Sequence, residues 1–167
     1  MTVPTQTPAE VAQAIFDALS KKQIDDAMAY VADDAVDDFV AIGRFEGKAT
    51  IQRFFDQLLA AFPTFDMAVE RVVGDDSAAV VQWRASGDFT GGPFQGVEPT
   101  GKHVEVRGVD LMEISDGFVH HNTIYYDGAA FARQVGMLPA AGTTLDRAVL
   151  KVFNTATRLR KRISRDK

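Results

Sequence analysis

The carboxylate of Asp110 interrupts an otherwise apolar pattern in the segment RGVDLMEI. If residues 102–114 form a strand, alternate side chains share one face. Besides Asp110, that face contains Val104, Val106, Gly108, Met112 and Ile114. A carboxyl in an apolar pocket should have a raised pKa, and a carboxylic acid held neutral can donate a hydrogen bond to a developing oxyanion. The alternative is an Asp at a strand end or bulge that reaches water or pairs with Arg84 or Arg107.

Histidine and tryptophan offer further candidates. His120 and His121 are adjacent on a predicted strand, so they point to opposite faces and cannot chelate one metal ion together. The sequence has no HxxxH or Cys pattern, and we therefore predict no metal site. His120 could reach a pocket on the face of Asp110 or lie at its rim. Trp83 could pack in the core or form a cavity wall.

Helices come first along the chain and strands follow. The sequence Thr7-Pro8-Ala9-Glu10 is typical of a capping box that begins a helix. Apolar spacing predicts a short helix over 24–31 and a longer one between Gly47 and Pro63. Between these helices, the segment DDAVDDFVAIG predicts a turn that leads into a short strand. Later segments predict strands over 65–73, 78–85, 102–114 and 118–126, and helices over 128–136 and 144–164. This order predicts an α+β fold, a curved antiparallel sheet closed by helices around a small-molecule cavity.

Composition limits the class of protein. The chain has 167 residues, of which 46% are hydrophobic and 25% charged, as expected for one globular domain. Its longest apolar run is too short to span a membrane, and its first residues do not resemble a secretory signal. Cysteine is absent, which excludes disulfides and thiolate sites. A cytoplasmic location is the simplest expectation.

The net charge of −5 is unevenly distributed. Residues 143–167 contain eight basic and two acidic residues, whereas the remainder contains 10 basic and 21 acidic ones. An acidic body argues against nucleic-acid binding. We divide the chain into a domain over 1–140 and a basic amphipathic helix over 141–167. That helix should pack on the domain or on a partner; contact with a membrane surface or an acidic partner is the alternative.

Three segments together resemble the SnoaL-like polyketide cyclase family. They are YVADDAVDD, GRFEGKATIQRFFDQLLAAFP and PTGKHVEVRGVDLMEISDGFVHHNTIYYDGAAFARQVGMLP, and the resemblance covers roughly residues 8–139. The family belongs to the nuclear transport factor 2-like superfamily, with ketosteroid isomerase and limonene epoxide hydrolase as relatives. The resemblance implies a cone-shaped α+β barrel and a homodimer formed through the outer sheet face. It specifies activity less well, because one fold can host several functions.

By resemblance, Asp38 matches the general base of the isomerase and Asp110 matches its protonated Asp. In that isomerase an apolar site keeps a carboxylic acid neutral, so that it can donate a hydrogen bond. Asp38 would then move a proton and Asp110 would stabilise an enolate; otherwise Asp38 belongs to a solvated acidic loop. Two positions depart from the relatives. Ile15 replaces the Tyr of the isomerase, and Ile124 replaces the essential Asp of the cyclases and the epoxide hydrolase.

The hairpin around Ser115–Gly117 decides which residues share the face of Asp110. A three-residue loop would place Asn122, Ile124 and Tyr126 there, and this agrees with the family. A two-residue Asp-Gly turn would place Thr123 and Tyr125 there instead.

These observations predict a protein that binds a small hydrophobic carbonyl compound, polyketide- or steroid-like. It would catalyse isomerisation, cyclisation or elimination without a cofactor, with Asp38 and Asp110 as catalytic residues. The expected ligand-binding residues are Ile15, Trp83, His120, Asn122, Ile124 and Tyr126. The alternatives are a non-catalytic carrier or sensor of an apolar ligand and a dimeric interaction module.

Overall fold

A computed structural model describes residues 6–163. In chain order its elements are α1 (Pro8–Ser20), α2 (Ile24–Met28), β1 (Val31–Phe39), β2 (Gly43–Glu46), α3 (Lys48–Ala61), β3 (Asp66–Gly74), β4 (Ala78–Asp88), β5 (His103–Ser115), β6 (Phe118–Tyr126), α4 (Gly128–Val135) and α5 (Thr144–Ile163).

The six strands form one curved sheet in the order β2-β1-β6-β5-β4-β3. Neighbours are antiparallel except β1 and β6, which run parallel. The predicted α+β class is therefore confirmed. The expected antiparallel meander accounts for β3 to β6, and β1 joins it by returning beside β6.

Helices α1 and α3 bury their apolar faces against the inner side of the sheet. Helix α1 begins with the predicted capping box, in which Thr7 and Glu10 exchange hydrogen bonds. Its buried face carries Val11, Ile15, Phe16 and Leu19. From α3, Ile51 and Phe54 enter the same core. These helices close the concave side of the sheet, so that groups on its inner face are removed from water.

Strand β1 is longer than the sequence pattern predicts, since a turn was expected over its first part. Four of its nine residues are Asp, a residue type depleted in strands. It nevertheless pairs with β2 on one side and β6 on the other. Of the four carboxylates, those of Asp33 and Asp34 are exposed. Pairing on both sides supplies the backbone hydrogen bonds that the side chains themselves do not favour.

The β5–β6 hairpin combines both turn hypotheses. The connection is a two-residue turn, since Ser115 opposes Phe118. A register shift follows at once, because Glu113 pairs with His121 and Ile114 with Val119, which leaves His120 as a bulge. The extra residue shifts the following side chains back to the face that was predicted for them. Asn122 and Ile124 are therefore buried on the side of Asp110. The predicted face is therefore correct, whereas the predicted three-residue loop is wrong.

The residues that the structure describes leave the apolar stripe of helix α5 uncovered. The exposed members of the stripe are Leu145, Val149, Val152, Phe153 and Leu159. Packing of this helix on its own domain or on a partner stays a prediction. In the part of the chain that the structure describes, every helix is too short or too polar to cross a membrane.

Candidate functional site

The curved sheet and the helices enclose an apolar cavity of about 110 Å³. Its wall combines residues of α1, α3 and the inner sheet face. Three of the lining side chains carry a nitrogen or oxygen atom, those of Trp83, Asp110 and Tyr126. The apolar lining side chains include Phe16, Leu19, Phe39, Phe54, Phe65, Met67, Phe94, Ile124 and Phe131. A ligand of this cavity must be largely apolar, and any polar group on it would meet Asp110 or one of these two neighbours.

Asp110 is buried at the wall of this cavity, as the alternation of β5 predicts. Its Oδ1 accepts a hydrogen bond of 2.7 Å from Trp83 Nε1, and its Oδ2 accepts one of 2.9 Å from Asn122 Nδ2. Burial raises the pKa of Asp110 to about 6, against the opposing effect of the hydrogen bonds from Asn122 and Trp83. The carboxyl can therefore change its protonation state close to neutral pH.

Trp83 reaches Asp110 because Gly108 makes room for it. Trp83 and Gly108 are directly paired between β4 and β5, and Asp110 lies two positions further along β5. A Cβ atom on Gly108 would collide with Cζ2 of Trp83, so the indole occupies the space of the missing side chain. The indole thus crosses the strand to donate to Asp110. Trp83 is both a core residue and a wall of the cavity.

The second buried carboxylate is Asp37, and the prediction that Asp38 faces the interior is wrong by one residue. Asp37 is 5% exposed. The Asp38 side chain is 34% exposed on the outer face, where its Oδ2 lies 3.9 Å from Arg44 Nε. Alternation along β1 explains this directly, because Ala35, Asp37 and Phe39 point inward.

The pKa of Asp37 is raised to about 8. Burial is the main cause, the nearby charge of Asp110 adds to it, and interaction with the Asn122 side chain opposes it. Two interacting carboxyls titrate as a pair, with macroscopic pKa values that are spread apart. Near neutral pH, Asp37 should keep its proton while Asp110 is mostly ionised.

Asn122 lies between these two carboxyls. It is paired with Asp37 across β1 and β6, and it donates to Asp110 from the neighbouring strand. Asn122 is buried and is not a lining residue of the cavity. The expectation that it shares the face of Asp110 is confirmed in position, but its observed partners are the carboxyls.

The remaining expected ligand-binding residues divide into two groups. Trp83, Ile124 and Tyr126 line the cavity. Ile15 is buried in the core while its neighbour Phe16 lines the cavity, so α1 presents a different residue than expected. His120 is exposed because the bulge in β6 turns it away from the inner face. The expectations that Ile15 and His120 line the pocket are therefore wrong.

A second cavity of about 330 Å³ adjoins the first near α4. Both are lined by Ile42, Phe94, Tyr126 and Phe131. Phe94 comes from the connection between β4 and β5, which is tied to the end of α3 by hydrogen bonds from Gly91 and Gly92. An elongated ligand could extend past these shared side chains, from Asp110 toward Gln95 and Met137 at the far wall.

Sequence reasoning missed Asp37 and the aromatic wall. Phe39, Phe54 and Phe94 come from three separate segments and meet around the cavity. Alternation from Phe39 would have identified Asp37, had the segment VADDAVDDF been taken as a strand. For Phe94, which lies in an irregular loop, the sequence carries no comparable periodic signal.

Comparisons with known proteins agree with this fold. The SnoaL-like polyketide cyclase family model matches residues 9–135. A solved SnoaL-like protein from Jannaschia sp. CCS1 is 26% identical, with a TM-score of 0.71 over 83% of this chain and 99% of that one. No curated protein sequence matches the chain significantly.

Two other solved structures share the fold at lower identity. AclR from Streptomyces galilaeus is 17% identical, with a TM-score of 0.68 over 90% of this chain and 94% of its own. An LEH-like epoxide hydrolase from M. tuberculosis is 18% identical, with a TM-score of 0.61 over 77% of this chain and 88% of its own. Since the family model spans most of the sequence, the chain belongs to the SnoaL-like polyketide cyclase family, within the nuclear transport factor 2-like superfamily.

Proposed function

We propose that the chain binds a small hydrophobic carbonyl compound, polyketide- or steroid-like, and moves a proton next to its carbonyl group without a cofactor. The observation that carries this proposal is Asp110, a buried carboxylate at the wall of an apolar cavity. A carboxylate removed from water, with a pKa near the working pH, is suited to general acid–base catalysis.

Asp110 is the base in this proposal, whereas the sequence suggested a neutral donor. Both of its oxygens accept hydrogen bonds from N–H groups, and such bonds favour the ionised form. It is also the carboxylate that lines the cavity. Asp37 takes the neutral role, behind Asn122.

The proton and the electron pair can both be followed. Asp110 takes a proton from the carbon next to the carbonyl, and the electron pair moves to the carbonyl oxygen as an enolate. The Tyr126 hydroxyl is a candidate hydrogen-bond donor to that oxygen, because this side chain lines the same cavity. Burial raises the pKa of Tyr126, which keeps its proton available. Return of the proton to another carbon gives an isomer, and attack of the enolate carbon on a second carbonyl gives a ring.

Hydrogen–deuterium exchange into a ketone tests the first step. The protein is incubated in D₂O with a panel of hydrophobic ketones, and deuterium next to the carbonyl is measured by mass spectrometry. Asp110→Asn should slow the exchange about 100- to 10,000-fold, as expected for loss of a general base. The matched control is Asp38→Asn, which removes a carboxylate from the outer face of β1 and should keep wild-type exchange. Unchanged exchange in Asp110→Asn would reject the role.

The exchange rate should also depend on pH in a defined direction. The base must be ionised, and burial raises the pKa of Asp110 to about 6. The rate should therefore rise as the pH increases through about 6 and then level off, measured with the same ketone across the range. A rate that is flat between pH 5 and 7 would contradict the assignment.

A non-catalytic carrier or sensor is the second candidate function. It is favoured by Ile124, which by resemblance stands where the cyclases and the epoxide hydrolase have an essential Asp, and by the almost entirely apolar wall. A carrier would bind a hydrophobic ketone in a calorimetric titration without any deuterium exchange.

Assembly and location complete the proposal. A homodimer through the outer sheet face would cover Leu111 and Tyr125, which are 38% and 51% exposed there. Analytical ultracentrifugation of wild type and Tyr125→Lys tests this, since the variant should shift the protein toward monomer. A cytoplasmic location and the dimeric interaction module are predictions from the sequence, and fractionation of cells measures the former.

A further inference from the structure

We infer that Asn122 is a positioning residue that keeps the proton of the buried acid pair on Asp37 and leaves Asp110 as the anion. This inference deepens the proposed function, and it rests on that function only for its catalytic use. The distribution of the proton is a property of the free protein and can be measured without a substrate.

The topology places one amide between two carboxyls. Strand β6 lies between β1 and β5, so a side chain on its inner face has a neighbour on each side. Asn122 is paired with Asp37 in β1 and lies diagonally across from Asp110 in β5. All three side chains are buried. The acids stand two strands apart, with the amide as the polar group between them.

Hydrogen-bond accounting then identifies the protonated member. An Asn side chain offers two N–H donors and one acceptor oxygen. One N–H donates to Asp110 Oδ2 at 2.9 Å. The Oδ1 atom of Asn122 is buried and has no partner among the residues that the structure describes. A buried acceptor without a donor is destabilising. A protonated Asp37 supplies the missing donor, as in a cyclic acid–amide pair.

Such a pair uses every polar group of the amide. In this pair the Asp37 hydroxyl would donate to Asn122 Oδ1, and the second N–H would donate to the other oxygen of Asp37. An N–H contact alone favours the ionised form of Asp37, and this is the direction in which Asn122 moves the pKa of Asp37. The opposing contribution, which favours the proton on Asp37, is the hydroxyl bond to Oδ1 of Asn122, which is otherwise unpartnered in the described part of the chain. The opposite arrangement is less favourable. A proton on Asp110 would weaken the bond from Trp83 or from Asn122, because a protonated oxygen is a poorer acceptor than a carboxylate oxygen.

Other charged groups around the triad point away from it. On β1 and β2, Asp38 and Arg44 pair on the outer face. On β5, Arg107 lies on the outer face near Glu70. His121 stands beside Asn122 on β6 but on the opposite side of the strand. Charged residues of α1 and α3, such as Asp17 and Asp56, are exposed. Tyr126 is the remaining titratable group on the inner face of these strands.

Carboxyl ¹³C NMR of the free full-length protein tests the inference. Asp37→Asn provides the assignment, because the signal lost in this variant belongs to Asp37. We expect Asp110 to titrate first and Asp37 at a clearly higher pH. In Asp37→Asn, an amide can still pair with Asn122, so Asp110 should still titrate as a single group at or below its wild-type pKa. If Asp37 loses its proton first, the inference is overturned.

Asn122→Leu provides the second measurement. Losing the N–H donor should raise the pKa of Asp110 by about one unit, a tenfold fall in its ionised fraction on the acid side. Thr123→Val is the matched control, since it changes the next residue, whose side chain lies on the opposite face of β6, and should leave both titrations unchanged. Unaltered titrations in Asn122→Leu would also overturn the inference. If that variant does not fold, the order of titration in wild type and Asp37→Asn decides alone.

The proposed function can fail independently. A protein that exchanges no ketone proton could still show the expected order of titration, which would support the role of Asn122 in a carrier. Conversely, exchange that requires Asp110 but shows the reverse order of titration would keep the function and remove this inference.

Discussion

The inner face of β1, β6 and β5 and the C-terminal helix α5 depart from ordinary burial in opposite directions. On the inner face, Asp37 and Asp110 are buried although carboxylates normally remain in water. On α5, Val152 and Phe153 are 70% and 66% exposed although large apolar side chains normally contribute to a core. Burying the carboxyls costs stability, whereas exposing the apolar stripe leaves unused the stability that its burial would contribute.

The two regions also differ in whether the chain itself compensates for the unusual burial. The carboxyls are compensated within the chain, by donors from Trp83 and Asn122 and by a raised pKa. For α5, the described part of the chain provides no cover for the apolar stripe. The internal hydrogen-bond network therefore indicates chemistry inside the domain. The uncovered apolar stripe indicates contact with a partner outside it. Substitutions of the buried carboxyls and of the exposed apolar side chains should separate these explanations.

The largest expected effect is stabilisation by Asp37→Asn at alkaline pH. Burial raises the pKa of Asp37 to about 8, so the folded state holds a proton that the unfolded state has released above about pH 4. Stability conferred by the neutral form is present at low pH and is lost as the pH rises through 8. Asn removes this dependence. The gain in unfolding free energy should grow from pH 4 to 8 and reach several kcal/mol, at about 1.4 kcal/mol per pKa unit.

Urea denaturation of both proteins at pH 5 and pH 9 measures this gain. Asp38→Asn is the control on the outer face of β1, where a change below about 0.5 kcal/mol is expected at both pH values. An equal gain at pH 5 and pH 9 would mean that the Asp37 carboxyl is not held neutral by burial, and the contrast between the two regions would weaken.

The position of Asp37 shows where prediction from sequence ends. Alternation along β5 is sufficient to place Asp110 inward, because the other residues on its face are strongly apolar. The same rule would place Asp37, but β1 carries too many carboxylates to be recognised as a strand over its whole length. Its conformation depends on pairing with β2 and with β6, which is distant in sequence. A resemblance to relatives locates the acidic segment but leaves its register one residue out.

The hairpin illustrates a different limit. Short-range turn rules predict two possible registers. The observed turn is the two-residue turn, whereas the residues that share the face of Asp110 are those expected from the three-residue loop. The bulge at His120 explains this combination, because it shifts the register by one residue after the turn, and the local sequence does not indicate it. Both His120 and Asn122 depend on it, since it directs one outward and the other inward. Helix boundaries, in contrast, are close to those predicted, because caps and apolar spacing act locally.

Gly108→Ala should cause a smaller effect, a loss of stability, and it tests how the inner face holds Asp110. The added Cβ would collide with the Trp83 indole, and displacing that ring weakens its bond to Asp110. Overpacking of this kind costs about 1–3 kcal/mol. Gly92→Ala is the control, because a Cβ there meets no atom within 4 Å. Thermal unfolding measures both variants, and tryptophan fluorescence should shift in Gly108→Ala alone. Equal stability of the two would show that the indole is not held by this close approach.

The smallest expected effect is that of Phe153→Ala on α5. This side chain is 66% exposed, so its removal should change the unfolding free energy of a monomer by less than about 0.5 kcal/mol. The buried counterpart is Phe54→Ala, for which a loss of about 3–5 kcal/mol is expected because a core cavity is left.

Denaturation at several protein concentrations distinguishes what covers the apolar stripe of α5. A concentration-dependent loss in Phe153→Ala would show that a second copy covers α5, and a concentration-independent loss above about 1 kcal/mol would show that α5 packs on its own domain. Either result would remove the contrast between an internally compensated acid pair and an uncovered helix, because both regions would then be satisfied by the protein itself.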